Sequence, residues 1–323
     1  MPRVALLSNP RSTGNRSLLP RIRSFCAQHK DIFHYEVEHV DQIGAALKTI
    51  ALVKPKVLVI NGGDGTVQAT LTEIYNGRHF GDTAPPVAVL PNGKTNLIAQ
   101  DLGAEGDALQ ALERVLELAR ADMDPHIVQR ELIALSGGMA GGAPVLGMFL
   151  GGAGLADAML YCRHKLYPLG LPNGLAHFIA LMLGLLGIVL GRFGRFLPPR
   201  TEPVKISVMK SGELHGRFAI LMVTTLQRIL FKGHMPGSGK VGAMQMLVIE
   251  RSTPALLGAL VAGIRGRLGS GRLSGVHIER GDEIRIEGDH SNVILDGELF
   301  QADCGRPIVL RPTAPVPFLR LAA

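Results

Sequence analysis

The sequence predicts a doubly wound, Rossmann-like α/β domain followed by a mainly antiparallel β-sandwich domain. Three observations carry this. Short apolar runs rich in β-branched residues, at 4–7, 57–60 and 86–90, recur through the first third with helix-length segments between them. This is the pattern of a parallel sheet buried on both faces. Each of these runs is followed by a polar turn containing glycine, and such turns gather at the carboxyl edge of a doubly wound sheet, where ligands bind. From about Ile127 the texture changes to many short apolar segments separated by glycine and polar turns, as antiparallel β-structure requires.

In chain order, residues 4–7 form a first strand that ends in the basic turn Ser8-Asn9-Pro10-Arg11-Ser12-Thr13-Gly14-Asn15, and 18–29 reads as a helix. A strand at 35–40 and a helix at 43–53 lead to the strand at 57–60. The chain then turns through Gly62-Gly63-Asp64-Gly65-Thr66 into a helix over 67–75. Strand, glycine turn and helix start together aim backbone N–H groups and the helix dipole at an anion, and an acid among the glycines can hold Mg²⁺. A strand at 86–90 enters the turn Pro91-Asn92-Gly93-Lys94-Thr95-Asn96, and 106–121 is a further helix. These elements delimit a first domain over 1–125. Apolar segments at 132–135, 145–150, 204–209, 219–224, 246–249, 284–287 and 293–295 build a second domain over 126–306, and the tail 307–323 can return to the first.

Residues 166–191 stand out within the second domain because they carry no formal charge. A spanning helix needs about 20 apolar residues, but Pro168, Pro172 and His177 interrupt the stretch. Cationic residues (Arg163, Lys165, Arg192, Arg195 and Arg200) flank both ends without asymmetry. An insertion that dips into one leaflet, with its arginines on the headgroups, is expected, and a segment buried in the protein core is the alternative.

Composition narrows the partner. The net charge of +7 favours something anionic. Three cysteines far apart form no disulfide framework, which points to a reducing compartment, and eleven histidines show no metal-ligand spacing. The basic stretch from Gly263 to Arg272 lacks the interleaved aromatics of single-strand nucleic-acid binding, so no nucleic-acid partner is expected. A P-loop is excluded twice. Asn92-Gly93-Lys94-Thr95 has Ala88 where glycine is needed, and Gly237-Ser238-Gly239-Lys240 is followed by Val241 in place of Ser or Thr. Asp296-Gly297-Glu298, just beyond a strand, is either an acid pair with a chemical role or an Asp-Gly hairpin turn.

Taken together, Asn9-Pro10 with Ser12 and Gly14, Gly62-Gly63-Asp64-Gly65-Thr66, Pro91 with Gly93, Asn96 and Ala99, and Asp296-Gly297-Glu298 resemble the diacylglycerol-kinase-like lipid kinases, a family that includes the ceramide and sphingosine kinases. The likeness runs in order along nearly the whole chain. The glycine loop alone is shared with NAD kinases, so the combination carries the specificity. The resemblance implies a nucleotide-binding α/β domain, a β-sandwich domain and a site in the cleft between them. It implies ATP phosphates on Gly62, Gly63, Gly65 and Thr66, with Asn9 and the Gly93-Lys94-Thr95-Asn96 turn closing around the nucleotide. Asp64 would hold Mg²⁺, Glu298 or Asp296 would take the proton from the acceptor hydroxyl, and Asp296 could also meet the metal. The implied activity is ATP-dependent phosphorylation of a primary hydroxyl on a two-chain lipid, diacylglycerol or ceramide, by a cytoplasmic protein peripheral on the inner face of a membrane. A NAD-kinase-like phosphotransferase and a non-catalytic nucleotide- or lipid-binding protein are the alternatives. The chain departs from the family at Lys94 (usually Thr), Gln68-Ala69 (usually Asn-Glu), Val40 (usually Thr) and over 236–246, where no structural-Mg²⁺ acid is found.

Overall fold

The computed structural model describes residues 3–81, 83–93, 96–104, 106–138, 140–161, 202–209, 212–226, 242–266, 268, 273–289, 291–302 and 305–322. The uncharged insertion at 166–191, Lys94 and Thr95 lie outside the described residues. The chain divides into two compact units. Met1–Leu132, Ala143–Gly147 and Thr313–Ala323 form one, and Ile133–Gly142 with Met148–Pro312 form the other.

In the first unit, strands β1 (Val4–Ser8), β2 (Ile32–Glu36), β3 (Val57–Asn61), β4 (Val87–Val89), β5 (Ile127–Arg130) and β18 (Val316–Leu319) make one sheet in the order β2-β1-β3-β4-β18-β5. The first four strands run parallel. β18 joins parallel to β4 and antiparallel to β5. Every residue of β1, β3 and β4 is buried, which explains their unbroken apolar sequence. Helices α1 (Asn15–Gln28), α2 (Ile43–Val53) and α3 (Asp64–Gly77) make the crossovers. Ile43, Ala46, Leu47 and Ile50 of α2 pack on Ala5, Leu7 and Leu58 of the sheet. Helices α4 (Leu97–Asp101) and α5 (Ala108–Arg120) follow β4, and Asp107 caps α5 by accepting the N–H groups of Leu109 and Gln110.

This order makes β1 and β3 neighbours whose onward connections part, so the turns leaving their carboxyl ends border a topological switch point. The second strand differs from the expected 35–40. β2 pairs with β1 residue for residue from Val4↔Ile32 to Ser8↔Glu36, so it ends where its partner ends. Val40 instead begins a 3-10 turn and is exposed.

In the second unit two antiparallel sheets account for the recurrent short segments. One holds β6 (Ile133–Gly137), β7 (Ala140–Gly147), β9 (Val204–Val208), β10 (Gly212–Gly216), β14 (Ile284–Glu287) and β17 (Ile308–Pro312). The other holds β8 (Phe149–Gly152), β11 (Phe218–Thr224), β12 (Met244–Glu250), β13 (Val276–Gly281), β15 (Ser291–Leu295) and β16 (Glu298–Ala302). The last five residues of β7 belong to the first unit. The apolar run 145–150, read from sequence as one segment, is divided at Met148 between β7 and β8, which lie in different sheets. Two helices accompany these sheets among the described residues, α6 (Gly154–Tyr161) and α7 (Thr253–Ile264). α7 falls on a stretch to which the sequence reading assigns no element. Its start is set by Ser252, whose hydroxyl accepts the Ala255 N–H, and by Pro254 in the first turn.

Asp157 of α6 is a partly buried carboxyl. Burial pushes it up to about 6, against the opposing effects of a hydrogen bond with Asn292 and the charge of Arg251. Because the folded value lies above the unfolded one, this group favours the fold at low pH, and the contribution is lost as pH rises through about 6. Asp157→Asn removes the buried charge and keeps a hydrogen-bonding side chain. It should stabilise the protein by roughly 1–2 kcal/mol at pH 8 and lose that gain near pH 4. Paired thermal melts across this range test the assignment, and an equal gain at both ends would refute it.

Candidate active site

The glycine turn sits where β3 gives way to α3. The helix begins at Asp64, three residues before the start expected from periodicity, with Gly63 as an extended cap residue at φ −81° and ψ 175°. This places the Asp64 carboxylate in the first turn, at the positive end of the helix dipole. The N–H groups of Thr66 and Val67 both donate to the Gly63 carbonyl, at 2.9 and 3.1 Å. The Gly65 N–H has no partner among the described residues, as expected for a donor in the first turn of a helix. Gly62 is required by contact, since a Cβ there would come 2.6 Å from the Thr66 Cβ.

A buried polar network holds this turn to the two neighbouring loops. The Asn92 amide nitrogen donates to the side-chain oxygens of Asn15 and, at 2.7 Å, Asn61. The Asn15 amide donates to the carbonyls of Asn9 at 2.7 Å and Asn61 at 3.1 Å. The Asn61 amide donates to Ser8 Oγ at 2.9 Å, and His34 Nε2 lies 2.8 Å from the same oxygen. Burial holds the His34 imidazole below its ordinary range, keeping it neutral beside this hydroxyl. Ser8, Asn15, Asn61 and Asn92 are all buried. Two further bonds reach the glycine turn itself: the Asn9 amide donates to Thr66 Oγ1 at 2.9 Å, and the Gly63 N–H donates to Ser12 Oγ at 2.8 Å.

The third loop closes on the same place. Asn96 takes a left-handed conformation (φ 54°), and its side-chain oxygen accepts the Gly93 N–H at 2.6 Å. A Cβ at Gly93 would stand 3.3 Å from Gly63 Cα and 3.4 Å from the Asp64 nitrogen, so this turn lies directly on the glycine turn. Similarly, a Cβ at Gly14 would meet the Asn92 side chain. Asn9, Gly62, Gly63, Asp64, Gly65, Thr66, Gly93 and Asn96 therefore form one loop cluster beyond the carboxyl ends of β1, β3 and β4. Of the positions where the chain departs from the family pattern, Gln68 is buried and Ala69 packs against the α2 core, so both serve the interior of α3.

The acid pair belongs to the second unit and forms a hairpin. Asp296 (φ 45°) and Gly297 (φ 95°) are the two left-handed residues between β15 and β16, whose register closes at Leu295↔Glu298. The two Asp296 carboxylate oxygens accept the N–H groups of Met148 (2.8 Å) and Phe149 (3.0 Å), and the Asp296 N–H donates to the Phe149 carbonyl at 2.9 Å. Asp296 thus anchors the start of β8, whereas Glu298 is exposed at the head of β16.

Among the described residues no group of three or more His, Cys, Asp or Glu could hold a metal. A single carboxylate at Asp64 nevertheless suits Mg²⁺, which usually takes one or two protein carboxylates and completes its shell with phosphate and water. Sequence reasoning missed Ser8, Asn15, Asn61, Asn92 and His34. For Ser8 and Asn61 the available signal was a hydroxyl or amide closing an otherwise apolar strand, where the fold buries it; Asn15, Asn92 and His34 carried no such signal.

Residues 3–126 match the family model described as the diacylglycerol kinase catalytic domain. Among solved structures, a diacylglycerol kinase from Bacillus anthracis str. Sterne is similar over 98% of this chain and 96% of its own, at 14% identity and a TM-score of 0.60. An NAD kinase from Archaeoglobus fulgidus, solved in complex with ATP, is similar over 98% of this chain and 93% of its own, at 12% identity and a TM-score of 0.50. No match was found among curated proteins.

The network makes a direct prediction. Asn92→Ala leaves the buried side-chain oxygens of Asn15 and Asn61 without that donor, at a cost of about 1–3 kcal/mol. Urea unfolding should show a lower midpoint with an unchanged slope, and a midpoint equal to wild type would show that the network does not hold the loops.

Proposed function

We propose that this chain, whose first unit carries a diacylglycerol kinase-like catalytic domain, is an ATP-dependent lipid kinase acting on a primary hydroxyl of a two-chain lipid, diacylglycerol or ceramide, at a membrane surface. The observation that carries the reading is the glycine turn at the head of α3. An acid stands in its first turn, one further loop is hydrogen-bonded onto it and another lies against it, at a switch point of a kinase-family domain. Phosphoryl transfer asks mainly for alignment, charge neutralisation and a base beside the nucleophile. In this reading the Gly65 N–H and the helix dipole bind nucleotide phosphate, Asn9 and Asn96 shape the turns around it, and Lys94 and Thr95 add an ammonium and a hydroxyl. Mg²⁺ held by Asp64 would neutralise charge on the phosphates. Glu298 takes the proton from the acceptor hydroxyl, and Asp296 positions it through the hairpin.

No helix among the described residues is long and apolar enough to cross a membrane. The shared fold with an NAD kinase keeps a soluble dinucleotide acceptor as the second reading.

A labelled-ATP transfer assay against diacylglycerol, ceramide, sphingosine and NAD separates these. Wild type should label one of the two-chain lipids. Glu298→Gln should lower kcat about 10²–10⁴-fold, and Asp64→Ala by at least about a hundredfold, each with an unchanged thermal melt. Labelling of NAD alone would select the second reading. Wild-type rates in both variants would remove these residues from the mechanism.

A further inference from the structure

Helix α7 is built inside out. Its buried face is small: Ala255, Ala259 and Ala262 turn inward, with Ala255 and Ala259 packed in the cluster of Met222, Leu247 and Ile249 from β11 and β12. Leu256 packs against the same cluster, but three other large side chains of the helix face the other way. Leu257, Leu260 and Val261 retain 52%, 45% and 43% of their surface, on one stripe at i, i+3 and i+4. An ordinary surface helix carries charged residues on that stripe and leucines beneath it.

Charge along this stretch of sequence is also one-sided, although the Glu250 carboxylate stands near the start of the helix. From Thr253 to Val276 there is no Asp or Glu, while Arg265, Arg267 and Arg272 follow the apolar stripe in sequence. Arg265 lies one further turn along that stripe, four residues after Val261, and is exposed. An exposed apolar stripe that ends in cationic residues, on a chain of net charge +7, is complementary to the interface of an anionic bilayer. A soluble protein partner would match the leucines but would not account for a stretch of 24 residues without an acid that ends in arginines.

We infer that α7 is a membrane-docking element: Leu257, Leu260 and Val261 enter the acyl boundary of an anionic lipid surface, with Arg265 on the headgroups. The inference deepens the lipid-kinase reading by naming the surface that meets the lipid. It places the docking surface on α7, a different stretch of the sequence from the uncharged residues 166–191.

The protein contains no tryptophan, so Leu260→Trp introduces a single reporter. Its emission should be that of an exposed indole in buffer, shift to the blue with phosphatidylcholine vesicles containing phosphatidylglycerol, and shift less at high salt. Independently, the triple variant Leu257→Ser, Leu260→Ser and Val261→Ser should float with these vesicles at least about tenfold less than wild type, with an unchanged melt. Transfer to lipid dispersed in detergent should match wild type, because none of these residues belongs to the proposed site. Emission already blue in buffer would mean that this chain or a second copy covers the stripe. Triple-variant flotation equal to wild type would mean that the stripe does not touch lipid. Either result overturns the inference. Vesicle binding through α7 without lipid phosphorylation would refute the kinase reading alone, and phosphorylation without α7-dependent binding would refute the docking surface alone.

Discussion

The loop cluster of the first unit depends on amide hydrogen bonds made in the absence of water. Asn15, Asn61 and Asn92 meet side chain to side chain beyond the ends of three buried strands, and Ser8 and the Asn9 carbonyl complete the set. Burying this many polar groups is tolerable only when they satisfy one another, because each orphaned group costs about 1–3 kcal/mol. The gain is rigidity where a polar ligand needs it. Three loops from distant parts of the sequence are held in register, and the Gly65 N–H at the start of α3 is left without a partner among the described residues. Glycine serves the same end at Gly62, where a Cβ would collide with Thr66 of the same turn, and at Gly93, where a Cβ would crowd Gly63 of the neighbouring loop.

The second unit uses one carboxylate in a comparable way. Asp296 occupies a left-handed turn position and holds the N–H groups of Met148 and Phe149. The first property explains why Asp-Gly makes a hairpin there, and the second explains why the chain can leave β7 and enter β8 at Met148. The sequence offers Asp296 and Glu298 as equivalent acids. Hydrogen bonding separates them into an anchor and an exposed group. Of the two sequence readings of this motif, the hairpin turn is the one the structure shows, with Asp296 and Gly297 at its left-handed positions.

Most of the secondary structure was legible because the physics was local. Continuous apolar runs could only be strands covered on both sides, and β1, β3 and β4 are such strands. The helix α2 was read at its observed bounds because its apolar face repeats at helical spacing and faces the sheet. The strand β2 was displaced because pairing with β1, rather than its own β-branched content, decides where it stops. The helix α7 was missed because its apolar residues surround it, so no periodicity marks it against the strands nearby.

By itself the sequence determined the α/β class of the first unit and the glycine turn with its acid, since these follow from apolar patterning and backbone freedom within a few residues. It also determined the resemblance that joins those motifs. Tertiary structure alone decided that β18 from the far end of the chain pairs with β4 and β5. It decided which asparagines are buried together and which of two neighbouring acids is already engaged. Each of these depends on partners tens to hundreds of residues away, and hydrogen bonds over such separations leave no periodic trace in the chain.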